Sequence, residues 1–145
     1  MSRFRQDVKD RAFMDIAIAI SNLSTCIRRK VGCVLVDGND EILSMGYNGV
    51  PKDMAHCIDH QCLGANRKSG EDLDLCIAIH AEANALMRCH DIRLIRKIYT
   101  TTFPCIQCTK LLANTACKTI IYRDAYPIKD ENQIIYGNFF YKQLR

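Results

Sequence analysis

The sequence predicts an α/β fold: a three-layer α/β/α sandwich with a mixed central sheet. Three observations carry that expectation. Val8, Ala12, Ile16, Ala19, Ile20 and Leu23 recur at helical spacing over the first segment. Two β-rich runs, Val31–Val36 and Glu41–Tyr47, flank Asp37-Gly38-Asn39-Asp40, which is turn chemistry. Further on, helical and strand-like segments follow one another, an order that layers helices over a sheet.

Taken in order, Val8–Leu23 is the first helix, and the runs 31–36 and 41–47 form an antiparallel hairpin. Asn48–Leu75 is a long polar loop rich in Gly, Asp, Asn, Cys and His. A loop of that length in a compact domain is functional or is pinned by something. Ala78–Cys89 reads as a helix with His80 and Glu82 on its first turn, and Lys97–Thr102 as a strand. Cys105–Thr115 is a second such helix with two Cys at its start, and Lys118–Arg123 another strand. Ile134, Ile135, Phe139, Phe140, Tyr141 and Leu144 predict a terminal helix with an apolar face over Glu131–Leu144.

The 145 residues are most simply one domain, 1–145, long enough to bury a core without staples. Hydrophobic residues are 48% and charged residues 25%, which fits a globular protein and argues against disorder. No apolar run approaches the roughly 20 residues of a membrane span. The segment Met1-Ser2-Arg3-Phe4-Arg5-Gln6-Asp7 is charged and precedes no signal-type apolar block. The expectation is a cytoplasmic protein without membrane contact. The net charge of +4 is modest, and the basic residues are scattered apart from Arg28-Arg29-Lys30. That balance suits a phosphate-bearing small molecule and does not by itself imply nucleic acid. Nine cysteines cannot all pair within the chain, and without an export signal they point to metal binding or burial.

Two motifs concentrate the chemistry: His80-Ala81-Glu82 and Pro104-Cys105-Ile106-Gln107-Cys108. One imidazole and two thiolates hold a zinc ion and leave its fourth position open, and such a zinc activates a bound water near neutral pH. Cys105 and Cys108 share a helix face, and the positive end of the helix dipole favours thiolates there. Pro104 helps to define the turn into that helix. Glu82 is placed to move the water's proton, first to a ring nitrogen and then to a leaving amine. Two competing readings remain. One is a structural zinc knuckle whose fourth ligand is Glu82 or another cysteine. The other is a buried His with two incidental Cys.

Cys57, Cys62 and Cys76 lie in or at the end of the polar loop, flanked by His56 and His60. A tetrahedral structural zinc would pin such a loop, with Cys26 as fourth ligand brought in by the fold, or with His56 or His60 in place of one of the four. The alternative is free thiols. Cys33, Cys89 and Cys117 sit in apolar or helical contexts and read as buried small hydrophobes.

The motif pair, in this order, is the mark of zinc deaminases acting on cytosine or adenine. The chain resembles the cytidine and deoxycytidylate deaminase superfamily, and most closely the deoxycytidylate (dCMP) deaminases, from about Phe13 to Tyr122. The resemblance rests on Cys26-Ile27-Arg28-Arg29-Lys30-Val31-Gly32, on Gly46-Tyr47-Asn48-Gly49-Val50-Pro51, and on the runs Ile79–Ala85 and Thr102–Lys110. It implies a cytidine-deaminase-like sandwich that hydrolyses dCMP to dUMP and ammonia in pyrimidine deoxynucleotide metabolism. It implies Glu82 as the catalytic acid–base and His80, Cys105 and Cys108 as zinc ligands. It also implies substrate contacts at Asn48, Val31, Gly32 and the Ala81 backbone, with Arg28 or Lys30 donating to the phosphate. The region of Met87, Arg88 and Asp91 is where related enzymes tune the fit to the base. Some members carry a second, structural zinc with ligands from the regions of Cys26, Cys57, Cys62 and Cys76. Members are commonly homohexamers, and many respond to dCTP and dTTP, which implies Mg2+ accompanying a bound dNTP. The alternatives are a deaminase of a free nucleoside, a tRNA base or a pterin or flavin precursor, and a non-catalytic zinc-binding module.

Overall fold

The computed structural model describes residues 2–68, 71 and 75–145. Its centre is a five-stranded mixed sheet in the order β2-β1-β3-β4-β5. Helix α1, Arg3–Ser21, is opened by Ser2, whose hydroxyl accepts from the Arg5 amide. It buries Asp10, Met14, Ala17 and Ser21, a single stripe at helical spacing. Val8 and Leu23, expected on that face, are exposed instead.

Strands β1 (Gly32–Asp37) and β2 (Ile42–Tyr47) form the expected antiparallel hairpin. The Asp37 carboxylate closes the turn by accepting from the amides of Asn39 and Glu41, and Asp40 takes the left-handed conformation at φ 60. β1 also pairs antiparallel with β3 (Ile95–Thr102), and β3 pairs parallel with β4 (Thr119–Asp124).

Alternation along β1 sorts the core into two layers. Val34 and Val36 join Met14, Ala17 and Tyr99 beneath α1. Cys33 and Leu35 face the other way, toward Ala81 and Ala85 of α2 (Ala81–Arg88) and Leu112 of α3 (Ile106–Ala113). Helices on both faces give the three layers the sequence predicts.

Two glycines let the helices approach. A Cβ on Gly32 would lie 2.1 Å from the Ala17 carbonyl of α1, and one on Gly46 would lie 2.3 Å from the Ala81 carbonyl of α2. Ser44 and Asn84 tie β2 and α2 further, by Ser44 Oγ to the Ala85 carbonyl at 2.6 Å and Asn84 Nδ2 to the Tyr47 carbonyl at 2.9 Å. Opposite, Asp10 is buried between α1 and the sheet. Burial opposes its ionisation, but donors on Lys142, Tyr99 and Gln6 outweigh that and hold its carboxyl below the usual range.

The tail departs from expectation. It is not a terminal helix but one helical turn, α4 (Gln133–Tyr136), followed by strand β5 (Phe140–Gln143). Gly137 and Asn138 end the helix, and the aromatic run that follows suits a strand. The open edge of β4 supplies unpaired backbone groups, which β5 satisfies by parallel pairing, Thr119 with Phe140 through Tyr122 with Gln143. Tyr136 and Phe139 are buried, while Ile134 and Phe140 are 84% and 76% exposed, so the expected apolar face does not form.

Of the loop expected over Asn48–Leu75, residues 69, 70 and 72–74 lie outside the described residues. The remainder contains turns, and Gly49 bridges to Ile79 at the loop's far end. Cys33 and Cys117 are buried as expected, whereas Cys89 is half-buried.

Candidate active site

Two helix N-termini meet at one end of a pocket. His80 is the residue that caps α2, and Cys105 caps α3; both were expected inside the first turn. Each has extended backbone, and their side chains turn toward one another: His80 Nδ1 is 3.3 Å from Cys105 Sγ and 3.5 Å from Cys108 Sγ. Cys108 reaches the same point from inside α3.

Among the described residues, His80, Cys105 and Cys108 are the group whose ligand atoms all lie within 4.8 Å of one another. Those spacings fit zinc. Bonds of about 2.3 Å to sulfur and about 2.0–2.1 Å to nitrogen at tetrahedral angles separate the two donors by about 3.5 Å. The protons in the metal-free cluster are unevenly shared. Hydrogen bonding from Cys108, with help from His80, draws the Cys105 thiol down to about 4. His80 is raised, chiefly by its bond to Cys105, and Cys108 is raised by the neighbouring thiolate and by burial. One thiolate thus stands among groups that hold their protons, and a metal ion replaces those protons.

Glu82 lies on the first turn of α2 and is 3% exposed. Burial raises its pKa, with Cys105 adding to the effect and His80 opposing it. Thr100 Oγ1 lies 3.4 Å from Glu82 Oε1 but 2.8 Å from the Thr102 carbonyl, and the carboxyl also accepts from its own backbone amide and from Cys108. A buried carboxyl with a raised pKa beside such a cluster is suited to taking up and releasing a proton.

The pocket also collects all the residues expected to contact substrate except Gly32 and Lys30. Asn48, Val31, Ala81 and Arg28 line it. Asn48 holds the wall together: its Oδ1 accepts from the Val31 amide at 2.8 Å, and its Nδ2 donates to the Arg29 carbonyl at 2.7 Å. Ala81 offers its backbone at the start of α2, where amides have no partner within the helix. Gly32 faces α1, and Lys30 is exposed. The basic triplet therefore divides, with Arg28 and Arg29 at the pocket.

Met87, Arg88 and Asp91 do not line this pocket. Met87 is 68% exposed, Arg88 stacks over the Tyr47 ring at 5.5 Å, and Asp91 pairs with Arg93. Sequence reasoning missed Tyr126, and it gave Thr102 and Phe103 no role, although all three line the pocket. The parallel pairing of β3 and β4 was the available signal, because residues just past the carboxyl ends of parallel strands gather at ligand sites.

The four remaining cysteines expected at a second metal lie near one another without forming an equally tight cluster. Cys57 and Cys62 are 3.9 Å apart at sulfur, Cys62 and Cys76 influence one another's ionisation, and Cys26 acts electrostatically on Cys76. His56 instead pairs with Thr25 Oγ1 at 2.8 Å.

Residues 7–124 match the family described as the cytidine and deoxycytidylate deaminase zinc-binding region. Over 129 residues, covering 86% of this chain, 36% are identical to a deoxycytidylate deaminase of Schizosaccharomyces pombe. The chain spans only 39% of that protein's length. A deoxycytidylate deaminase of Mycobacterium phage D29 is 34% identical over 127 residues, which cover 78% of this chain and 92% of that one. The fold superposes on the crystal structure of a dCMP deaminase from the cyanophage S-TIM5 in complex with dCMP and dUMP. That match has a TM-score of 0.74 and 27% identity and covers 99% of each chain.

Proposed function

The chain belongs to the cytidine and deoxycytidylate deaminase family, and we propose that it hydrolyses dCMP to dUMP and ammonia, supplying the precursor of dTMP. The observation that carries this is the convergence of His80, Cys105 and Cys108 at zinc spacing beside buried Glu82, on a pocket that Arg28 also lines. Support for the nucleotide comes from the deoxycytidylate deaminases the chain resembles and from the dCMP and dUMP bound in the phage structure. The 145 residues act as one deaminase domain.

His80, Cys105 and Cys108 would hold the zinc, which when bound lowers the pKa of water and so supplies a nucleophile at neutral pH. Glu82 takes the proton of the attacking water and passes it to N3 of the cytosine ring. It then takes the remaining proton of the hydroxyl added at C4 and gives it to the amino group; the C4–N4 bond breaks, ammonia leaves and the C4 carbonyl of dUMP forms. The Ala81 backbone and Val31 position the base, and Asn48 fixes the Arg29–Val31 wall against which the sugar rests. Arg28 meets the phosphate.

The test is ammonia release across dCMP, deoxycytidine, cytidine, adenosine and a pterin precursor. Turnover of dCMP is expected to exceed that of deoxycytidine by roughly tenfold or more, the worth of one charge-assisted contact. Equal rates on the two would overturn the monophosphate reading, and no turnover of any substrate would favour a zinc-binding module.

We propose in addition a structural zinc held by Cys26, Cys57, Cys62 and Cys76, supported by the sulfur contacts described above. On family resemblance alone rest a homohexamer and control by dCTP and dTTP with Mg2+. Light scattering is expected to show an oligomer that responds to dCTP with magnesium; a monomer under both conditions would overturn the assembly and its regulation. No described helix is long and apolar enough to cross a membrane.

A further inference from the structure

Arg28 sits where the cysteine loop and the pocket meet. Its Nη2 donates to the backbone carbonyls of Lys68 and Glu71, some forty residues away in sequence. Its Nη1 is buried and has no hydrogen-bond partner among the described residues, and the side chain lines the pocket beside Val31 and Asn48.

A guanidinium is a rigid plane, so two carbonyls on Nη2 also fix where Nη1 points. A buried N–H without an acceptor is unfavourable, and at a pocket wall the acceptor it lacks is supplied by a ligand. The base of the loop is tied independently, since the Gly64 amide donates to the Leu75 carbonyl at 3.1 Å. Gly64 also packs so close to Cys76 that an added Cβ would lie 2.7 Å from its nitrogen. Lys68 and Glu71 therefore lie in sequence between two residues, Gly64 and Leu75, that are joined through their backbones.

Resting on the dCMP reading, we propose that Lys68 and Glu71 are the positioning residues for monophosphate recognition. Their carbonyls aim Arg28 at the 5′-phosphate, and the bound phosphate in turn holds these two residues through the same side chain. A lysine at this position keeps the charge but cannot serve the loop and the phosphate from one plane.

The test pairs kinetics with proteolysis of the as-purified enzyme. Arg28→Lys is expected to raise KM for dCMP roughly tenfold to a hundredfold, with a much smaller change in kcat, and to lower the preference for dCMP over deoxycytidine by a similar factor. Trypsin cleavage after Arg67 and Lys68 in the unsubstituted enzyme is expected to slow with dUMP but not with deoxyuridine, and the dUMP effect should vanish in Arg28→Lys. A variant that keeps the dCMP preference, or equal protection by dUMP and deoxyuridine, overturns the proposal. An unsubstituted enzyme with no dCMP preference overturns the dCMP reading itself, so the two failures are distinct. Should Arg28→Lys fail to fold, the comparison of dUMP with deoxyuridine on the unsubstituted enzyme decides the matter alone.

Discussion

Replacing Glu82 by Gln is expected to leave the fold and the zinc in place and to remove nearly all turnover. The side chain is 3% exposed at the first turn of α2, one residue beyond Ala81 and two beyond His80. The amide is close to isosteric with the carboxyl, so packing against Thr100 and the helix end survives. What disappears is the ability to accept a proton. General acid–base groups contribute roughly 10² to 10⁴ in rate, and in the proposed reaction Glu82 serves more than one proton transfer, so the loss is expected at or beyond the upper end. Ammonia release and zinc content, measured on the same sample, decide it. Retention of more than roughly a tenth of the activity, against that range, would remove Glu82 from the mechanism. Loss of zinc with loss of activity would make Glu82 a ligand and not a proton carrier.

How much of this was legible in the sequence depended on whether the signal was local. The hairpin was, because Asp37-Gly38-Asn39-Asp40 fixes a turn between two β-rich runs, and the structure returns it with a register shift only near Leu35 and Val36. The grouping of His80, Cys105 and Cys108 was legible too, since each motif is a few residues long and sits at a helix start. The structure refines it: His80 and Cys105 are the caps of their helices, and their side chains face each other. The tail was not legible. Its apolar residues do not decide between helix and strand by themselves. The decision comes from the open edge of β4, which no local pattern reveals. Arg28 is the clearest case of a long-range determinant. Its basic neighbours suggested a phosphate contact, but the carbonyls that orient it come from Lys68 and Glu71. Tyr126 escaped for a similar reason, because its place at the pocket follows from the parallel crossover of β3, α3 and β4.

Two zinc ions per chain are expected, and separate substitutions should remove them one at a time. Cys105→Ser takes a ligand from the cluster with His80 and Cys108, leaving too few donors to hold the ion that turnover needs; activity should fall to background while the second ion stays. Cys62→Ser should release the other ion. Cys62 touches both Cys57 and Cys76, so its loss divides the set, and the ion's binding energy is part of what orders the loop. Activity should fall there as well, but through KM for dCMP, because the same loop carries the carbonyls that orient Arg28. The two ions should also differ in exchange: four protein ligands leave no open position, so the structural ion should resist chelators longer. Uptake at the catalytic cluster should weaken as pH falls. In the metal-free state His80 and Cys108 hold their protons more tightly than usual, and zinc must displace them, so acid competes with the metal and alkali favours it. Titration of apoprotein with zinc at roughly pH 6 and pH 8, either side of the ordinary imidazole range, checks the sign. Tighter binding at the lower pH would contradict the ligand set, and one zinc per chain in fully active protein would reject the second site.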